Sequence, residues 1–332
     1  MRGGTASGPD LALGAATAPS EPARPRAQWV TDAGLETDLI HHHGVDLPMF
    51  AAYPLLSDPH GRSLLTAYYS GFADVARAAD AGLLLETPTW RASPEWVAAL
   101  GGSLADVLQV NFESIVFLAG LAENLGASGR ADLSRTRVVG VIGPRGDGYV
   151  PGASASADEL GAYHAVQVGA FAEAGAERVT AYTLTTVAEA VGIVQTARDH
   201  AVEVTVSFTV ETDGRLPDGT SLDAAVEQLW RQARPDGLVV NCAHPSHVAA
   251  ALDDGDSWTE RVTGLRVNAS RQSHAELDGA EVLDEGNLAD LVAEHRRLEA
   301  RLPRLEVVGG CCGTDVRHVA ALWGVDDPSD AS

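Results

Sequence analysis

The chain predicts one α/β domain folded as a closed (β/α)8 barrel, and three observations carry that expectation. Short β-rich apolar runs alternate with longer helical stretches about eight times over roughly 300 residues. No break in composition separates the first run from the last. No glycine-rich phosphate turn follows the first strand, where Asp32-Ala33-Gly34-Leu35 stands, and this disfavours an open doubly wound sheet. Continuous apolar strands separated by helices indicate parallel β with both faces covered.

In order, Trp29-Val30-Thr31-Asp32 predicts a brief first strand ending at Ala33-Gly34. A helix over 62–80 leads to Gly82-Leu83-Leu84-Leu85-Glu86-Thr87. A second, over 104–125, precedes Val138-Val139-Gly140-Val141-Ile142, which Gly143-Pro144 stops. Residues 158–174 read as a helix with Gly175 as its stop signal. Arg178-Val179-Thr180-Ala181-Tyr182 follows, then a helix over 187–200. The stretch 202–209 is the clearest strand, alternating and β-branched. After the turn Leu216-Pro217-Asp218-Gly219, Ser221 caps a helix running to Ala233. Strands six, seven and eight are expected at 237–241, 264–268 and 305–309, with a helix over 288–302 between the last two.

The expected domain is 29–324, with a flexible tail over 1–28 and a short one over 325–332. The first 28 residues are rich in Ala, Gly and Pro and lack the basic start and apolar stretch of a secretory signal. No apolar run approaches the roughly 20 residues of a membrane span. Lys and Arg number 23 against 46 Asp and Glu, a net charge of -23 that repels phosphate backbones and anionic lipid. Nucleic acid and membrane are therefore poor partners, and a cytoplasmic location is expected. Three cysteines in so long a chain argue against a disulfide framework.

Their placement is informative. Cys242 follows strand six, in Val240-Asn241-Cys242-Ala243-His244-Pro245, and Cys311 and Cys312 follow strand eight, in Gly309-Gly310-Cys311-Cys312-Gly313-Thr314. In a barrel the carboxyl ends of strands share one rim, where chemistry sits. Three thiols would converge there, with Gly309, Gly310 and Gly313 giving the adjacent pair freedom to aim both sulfurs. Buried cysteines serving as small apolar residues, or a vicinal disulfide, are the competing readings. Soft thiolates select zinc, and three protein ligands leave a fourth position open. Three negative charges make the ion a poor Lewis acid for hydrolysis but keep an incoming sulfur electron-rich. A substrate thiol, with a free pKa of about 8.5, would be deprotonated there and still attack an activated methyl.

These residues resemble the homocysteine S-methyltransferases, zinc barrel enzymes that include the S-methylmethionine- and betaine-dependent ones and the homocysteine module of cobalamin methionine synthase. The resemblance spans Thr31 to His318. Gly309-Gly310-Cys311-Cys312-Gly313-Thr314 and Val240-Asn241-Cys242 carry it most strongly. Asp32-Ala33-Gly34-Leu35-Glu36-Thr37-Asp38-Leu39, Gly140-Val141-Ile142-Gly143-Pro144, Ser207-Phe208-Thr209 and Asp218-Gly219-Thr220-Ser221-Leu222 add to it. It implies Cys242, Cys311 and Cys312 as zinc ligands and Asp32 as a contact for the acceptor's amino group. A substrate pocket of Asp32, Glu36, Thr87, Trp90, Tyr182 and Asn268 follows. Three positions depart from the family pattern. Thr87-Pro88-Thr89-Trp90-Arg91 replaces a Thr-Asn-Thr/Ser-Tyr-Gln type of run, and Asn268-Ala269-Ser270-Arg271 a Pro-Asn-Ser-Gly turn. Tyr182-Thr183 stands in place of Glu-Thr and removes a carboxylate from the acceptor pocket.

The function implied is zinc-dependent methyl transfer from a sulfonium or quaternary ammonium donor to a zinc-bound thiol, L-homocysteine giving methionine. A different thiol or selenol acceptor, or a zinc barrel subunit without turnover, are the alternatives. Around the site, Trp90 offers a cation-π face to an onium donor or simply packs. Arg91 suits a substrate carboxylate or a surface partner. Glu86 reads as a structural pair, and Ser270 joins Asn268 on the rim. His244 and His247 read as neighbours of the metal site, not ligands, and His41-His42-His43 as an exposed loop.

Overall fold

In the computed structural model, residue 1 and residues 28–152, 154–252, 257–280 and 282–328 are described. Most of the expected N-terminal tail, residues 2–27, and residues 329–332 lie outside that range. Eight strands form: β1 Trp29–Val30, β2 Gly82–Glu86, β3 Thr136–Ile142, β4 Arg178–Leu184, β5 Glu203–Phe208, β6 Gly237–Ala243, β7 Gly264–Val267 and β8 Val307–Gly310. All pair in parallel with their sequence neighbours. β1 closes the ring on β8 through Trp29 with Val307 and Val30 with Val308. The expected barrel is present.

Burial on both faces is why these strands read as unbroken apolar runs. Every residue of β2, β6 and β7 is buried. Two of those residues, Glu86 and Arg266, are charged, and they meet inside the barrel.

Several covering helices are fixed at their starts by side-chain caps, although Ser221, at the start of Leu222–Gln232, makes no such bond. Ser103 and Asp106 form a reciprocal capping box on the helix Leu104–Ala127, and Ser156 and Glu159 do the same on Ala157–Glu173. The first of these corrects the sequence reading: it has 24 residues and is apolar enough to cross a membrane by length and composition. Here it lies against β3 and the helix Ala157–Glu173, with Asn111 and Ser114 among its buried residues.

Strand ends differ from expectation where the backbone is irregular. β6 runs past Asn241 to Ala243, so Cys242 lies within the strand, at a break in its register with β7. Cys242 has φ +54°, a left-handed conformation. β4 likewise extends to Leu184, with a register break and φ +61° at Thr183. Such bulges re-aim a side chain at a strand end. β8 stops at Gly310, so Cys311 directly follows it, as expected.

Candidate metal centre and substrate pocket

The three cysteines meet. Their sulfurs all lie within 4.8 Å of one another, and none is in a disulfide. Cys242 Sγ and Cys312 Sγ are 3.4 Å apart. Sulfurs on a tetrahedral zinc, at Zn–S of about 2.3 Å, sit roughly 3.8 Å apart, so the trio fits such an ion with little movement.

Backbone clamps hold this arrangement. The Cys242 carbonyl, turned inward by the bulge, accepts from His274 Nε2 (2.6 Å), Asn268 Nδ2 (3.0 Å) and Thr209 Oγ1 (3.4 Å). The Asn241 amide ties the neighbouring strand ends together. It accepts from Ser207 Oγ (2.6 Å) and the Thr183 N–H (2.9 Å) and donates to Thr183 Oγ1 (3.0 Å). Cys311 N–H donates to the Val267 carbonyl at 2.8 Å. The glycines act differently from one another. Gly313 adopts φ +74°, whereas at Gly310 a Cβ would lie 2.0 Å from Thr314 Oγ1, so the requirement there is close approach.

The thiols do not titrate alike. Hydrogen bonds from Cys242 and Cys312, helped by the charge of Arg266, hold Cys311 well below the ordinary thiol range. Donation to Cys311 pushes Cys242 up, and donation to its two neighbours does the same to Cys312. Three thiolates cannot coexist here without a cation between them, and that is the chemistry of a metal-ligand set. Tyr149, from the loop after β3, brings its hydroxyl to 3.0 Å from Cys242 Sγ and 3.6 Å from Cys312 Sγ. Burial holds the phenol well above its ordinary pKa, and its ring stacks on His274 at 4.2 Å.

Two cavities adjoin the thiols. A narrow one of 70 Å³ reaches into the barrel past Asp32, Glu36, Glu86, Tyr182, Arg266 and the three cysteines. A wider one of 310 Å³ opens outward between Arg91, Asp147, Asn268, Ser270 and His274. Thr37, Phe50, Trp90, Tyr149 and Cys312 line both.

At the inner end Arg266 gathers the pocket's acids. Its Nη1 donates to Glu86 Oε2 at 2.7 Å and its Nη2 to Asp32 Oδ1. The carbonyls of Ala33 and Gly310 take further bonds, at 2.9 Å each. Tyr182 donates to Glu86 Oε1 at 2.6 Å, Thr31 donates to Glu86 Oε2 at 2.7 Å, and the guanidinium lies 4.6 Å over the Tyr182 ring. Burial alone would lower the Arg266 pKa, but Asp32 and Glu86 carry it well above its ordinary value. Asp32 is raised, chiefly by burial, with Arg266 opposing.

The expected pocket residues fall as follows. Asp32, Glu36, Thr87, Trp90 and Tyr182 line the narrow cavity and Asn268 the wide one. Thr87 is bound to Thr89 Oγ1 and the Val141 N–H, which leaves it structural bonds on both sides. Asn268 Oδ1 is buried with no partner. Glu86 is the structural pair expected. His244 and His247 are engaged by Ser246 and the Arg271 carbonyl, away from the sulfurs. His41 ends a helix, and His42 and His43 reach Asp38. A second group able to hold a metal, Asp38, His42 and Asp315, is already tied up by Glu285, Arg317 and His318.

Sequence reasoning missed Arg266, Tyr149 and His274. A charged residue inside an otherwise apolar strand was the available signal for Arg266. Tyr149, in a glycine-rich loop, offered none.

A family model described as homocysteine S-methyltransferase matches residues 29–324. The homocysteine S-methyltransferase of Escherichia coli K12 is 27% identical over 248 residues, 71% of this chain and 77% of that protein. The homocysteine S-methyltransferase YbgG of Bacillus subtilis 168 is 24% identical over 311 residues, 89% and 93% of the two chains. The crystal structure of the Escherichia coli homocysteine methyltransferase MmuM in its metallated form superposes with a TM-score of 0.71 at 23% identity, covering 90% of this chain and 96% of that one.

Proposed function

The chain belongs to the homocysteine S-methyltransferase family and is a methyltransferase acting on small molecules, and from that premise we propose its reaction: transfer of a methyl group from a sulfonium or quaternary ammonium donor to the thiol of L-homocysteine, giving methionine, with zinc held by Cys242, Cys311 and Cys312. The observation that carries the reading is the convergence of three sulfurs from two distant segments at the barrel rim, beside a pocket. Reduced thiols also suit a cytoplasmic setting.

When bound, zinc keeps an acceptor thiol deprotonated near neutral pH without quenching its nucleophilicity. The chain supplies the rest. The three thiolates, aimed by the Cys242 bulge and the Asn241 amide, keep the site electron-rich. The Tyr149 phenol, held protonated by burial, donates to sulfur and covers the thiols from the outer side. Trp90 walls the place where the two cavities join, with the Arg91 guanidinium already 4.5 Å from its ring centroid. Thr87, bonded on two sides, fixes the turn that carries Trp90. Catalysis then rests on placing acceptor sulfur and donor methyl in line, not on a general base.

Zinc-loaded protein assayed with homocysteine and a panel of onium donors is expected to form methionine with at least one. Cys311→Ala is expected to lose metal and turnover together, and retention of a full equivalent of zinc would overturn the ligand assignment. A different thiol or selenol acceptor is the second reading. Arg266 favours it, because it already occupies Asp32 and Glu86, the innermost acids of the pocket.

A further inference from the structure

We infer that Glu36 and Arg91 clamp the α-amino acid head of the acceptor thiol, Glu36 taking its ammonium and Arg91 its carboxylate. The inference rests on the reading that the pocket takes an amino acid thiol, and it assigns the groups that read that head.

Most charges in the pocket already have partners. Three carboxylates line the narrow cavity: Asp32, Glu36 and Glu86. Glu86 is fully engaged, with Arg266 and Thr31 on one oxygen and Tyr182 on the other. Asp32 is paired with the same guanidinium. Arg266 thus sits where a ligand's ammonium would meet two acids, and its backbone bonds to Gly310 and Ala33 keep it there. Glu36 is different. It stands in the first turn of the helix Leu35–His41 and pairs with no cation among the described residues. Burial, with the nearby Cys311, pushes its carboxyl up to about 7, against its own backbone N–H and the more distant charges of Arg266 and Arg91. A half-buried carboxylate beside the thiols, with no cation bonded to it, is an unmet demand for a cation.

Arg91 is the complementary case. Its guanidinium lies 4.5 Å from the Trp90 ring centroid and 3.6 Å from that of Trp96. Its Nε is buried without a hydrogen-bond partner. Asp147, Tyr149, Glu36 and Asp278 act on it through charge alone, and burial lowers its pKa. Two indoles hold the plane of the fork, so its unused N–H groups form a preset edge for a carboxylate. Glu36 and Arg91 sense one another's charge yet are not an ion pair. They belong to the two cavities that join at Trp90, Tyr149 and Cys312. A short thiol with its sulfur at the cysteines would project its head into that junction.

The test uses zinc-loaded wild type, Glu36→Gln and Arg91→Met with three acceptors. These are homocysteine, its desamino counterpart 4-sulfanylbutanoate and its decarboxylated counterpart 3-sulfanylpropan-1-amine. Kd is measured by calorimetry without donor, and kcat and KM with donor. Wild type is expected to lose tenfold or more in Kd for each truncated acceptor. In Glu36→Gln the penalty for the missing amino group disappears while the carboxylate penalty stays, and Arg91→Met shows the reverse. The changes fall in KM more than in kcat. Glu36→Asp and Arg91→Lys keep the charges, and partial recovery with them excludes general misfolding. Unchanged wild-type penalties in both variants overturn the clamp, as does a pattern that moves only with analogues of the methyl donor. Because Kd is read without donor, protein that binds these thiols but never methylates them sinks the proposed reaction while still judging the clamp.

Discussion

Arg266 is only 8% exposed, inside a strand where an unpaired guanidinium would be several kcal/mol uphill. Asp32, Glu86 and two carbonyls make it tolerable, and in turn it makes the two acids tolerable. Arg266→Met is therefore expected to destabilise the protein by about 3–5 kcal/mol, since it strands two buried carboxylates. Denaturant titration reads that loss, and adding Asp32→Asn and Glu86→Gln should return much of it. Glu36 makes a pH-dependent prediction. Its carboxyl rises from 4.5 to about 7 on folding, so between those values the native state holds more protons than the unfolded one. Stability then falls as pH rises through that window. Metal-free Glu36→Gln should be more stable than wild type at pH 8, by about 2 kcal/mol, and indistinguishable from it near pH 4. Thermal melts at the two pH values check this. At this scale the sequence was legible only where a residue type is rare. Three cysteines stand out in 332 positions, but Asp32, Glu86, Tyr182 and Arg266 are joined across separations of up to 234 residues. No local pattern announces such a network.

Elements were the most readable level. Parallel strands buried on both faces are mostly apolar or β-branched, and the helix Leu104–Ala127 shows its cap, so β2, β5, β6 and that helix could be placed from composition. The strand ends could not. The bulges at Thr183 and Cys242 depend on cross-strand bonds through Asn241, which periodicity does not encode. Those bonds supply a prediction. Asn241→Ala removes the strut, and with it the 3.9 Å bond from Asn241 Nδ2 to Cys311 Sγ, but keeps all three cysteines, so the barrel should stay folded while zinc affinity drops about 10–100-fold. Competition with a chromophoric chelator measures the drop. Gly310→Ala should be harsher, because its Cβ would fall 2.0 Å from Thr314 Oγ1 and displace the loop that carries Cys311 and Cys312. Gly120→Ala, facing open space, is the neutral control.

The whole molecule is a ring of eight strands carrying a net charge of -23. Self-repulsion of that size opposes compaction and is screened by salt. Raising sodium chloride from 10 to 300 mM should therefore lift the melting temperature by a few degrees. Ring closure has a further consequence at the rim. Cys242 and Cys312 come from opposite ends of a 70-residue stretch, yet the scaffold sets their sulfurs 3.4 Å apart. With the sulfurs that close, protein stripped of metal by a chelator is expected to behave as a redox latch. A mild two-electron oxidant would convert that pair to a covalent bridge between β6 and the segment after β8, shutting the reaction down until a reductant reopens it. Peptide mass mapping of oxidised, chelated protein would find the Cys242–Cys312 linkage, and prior filling with zinc would prevent it.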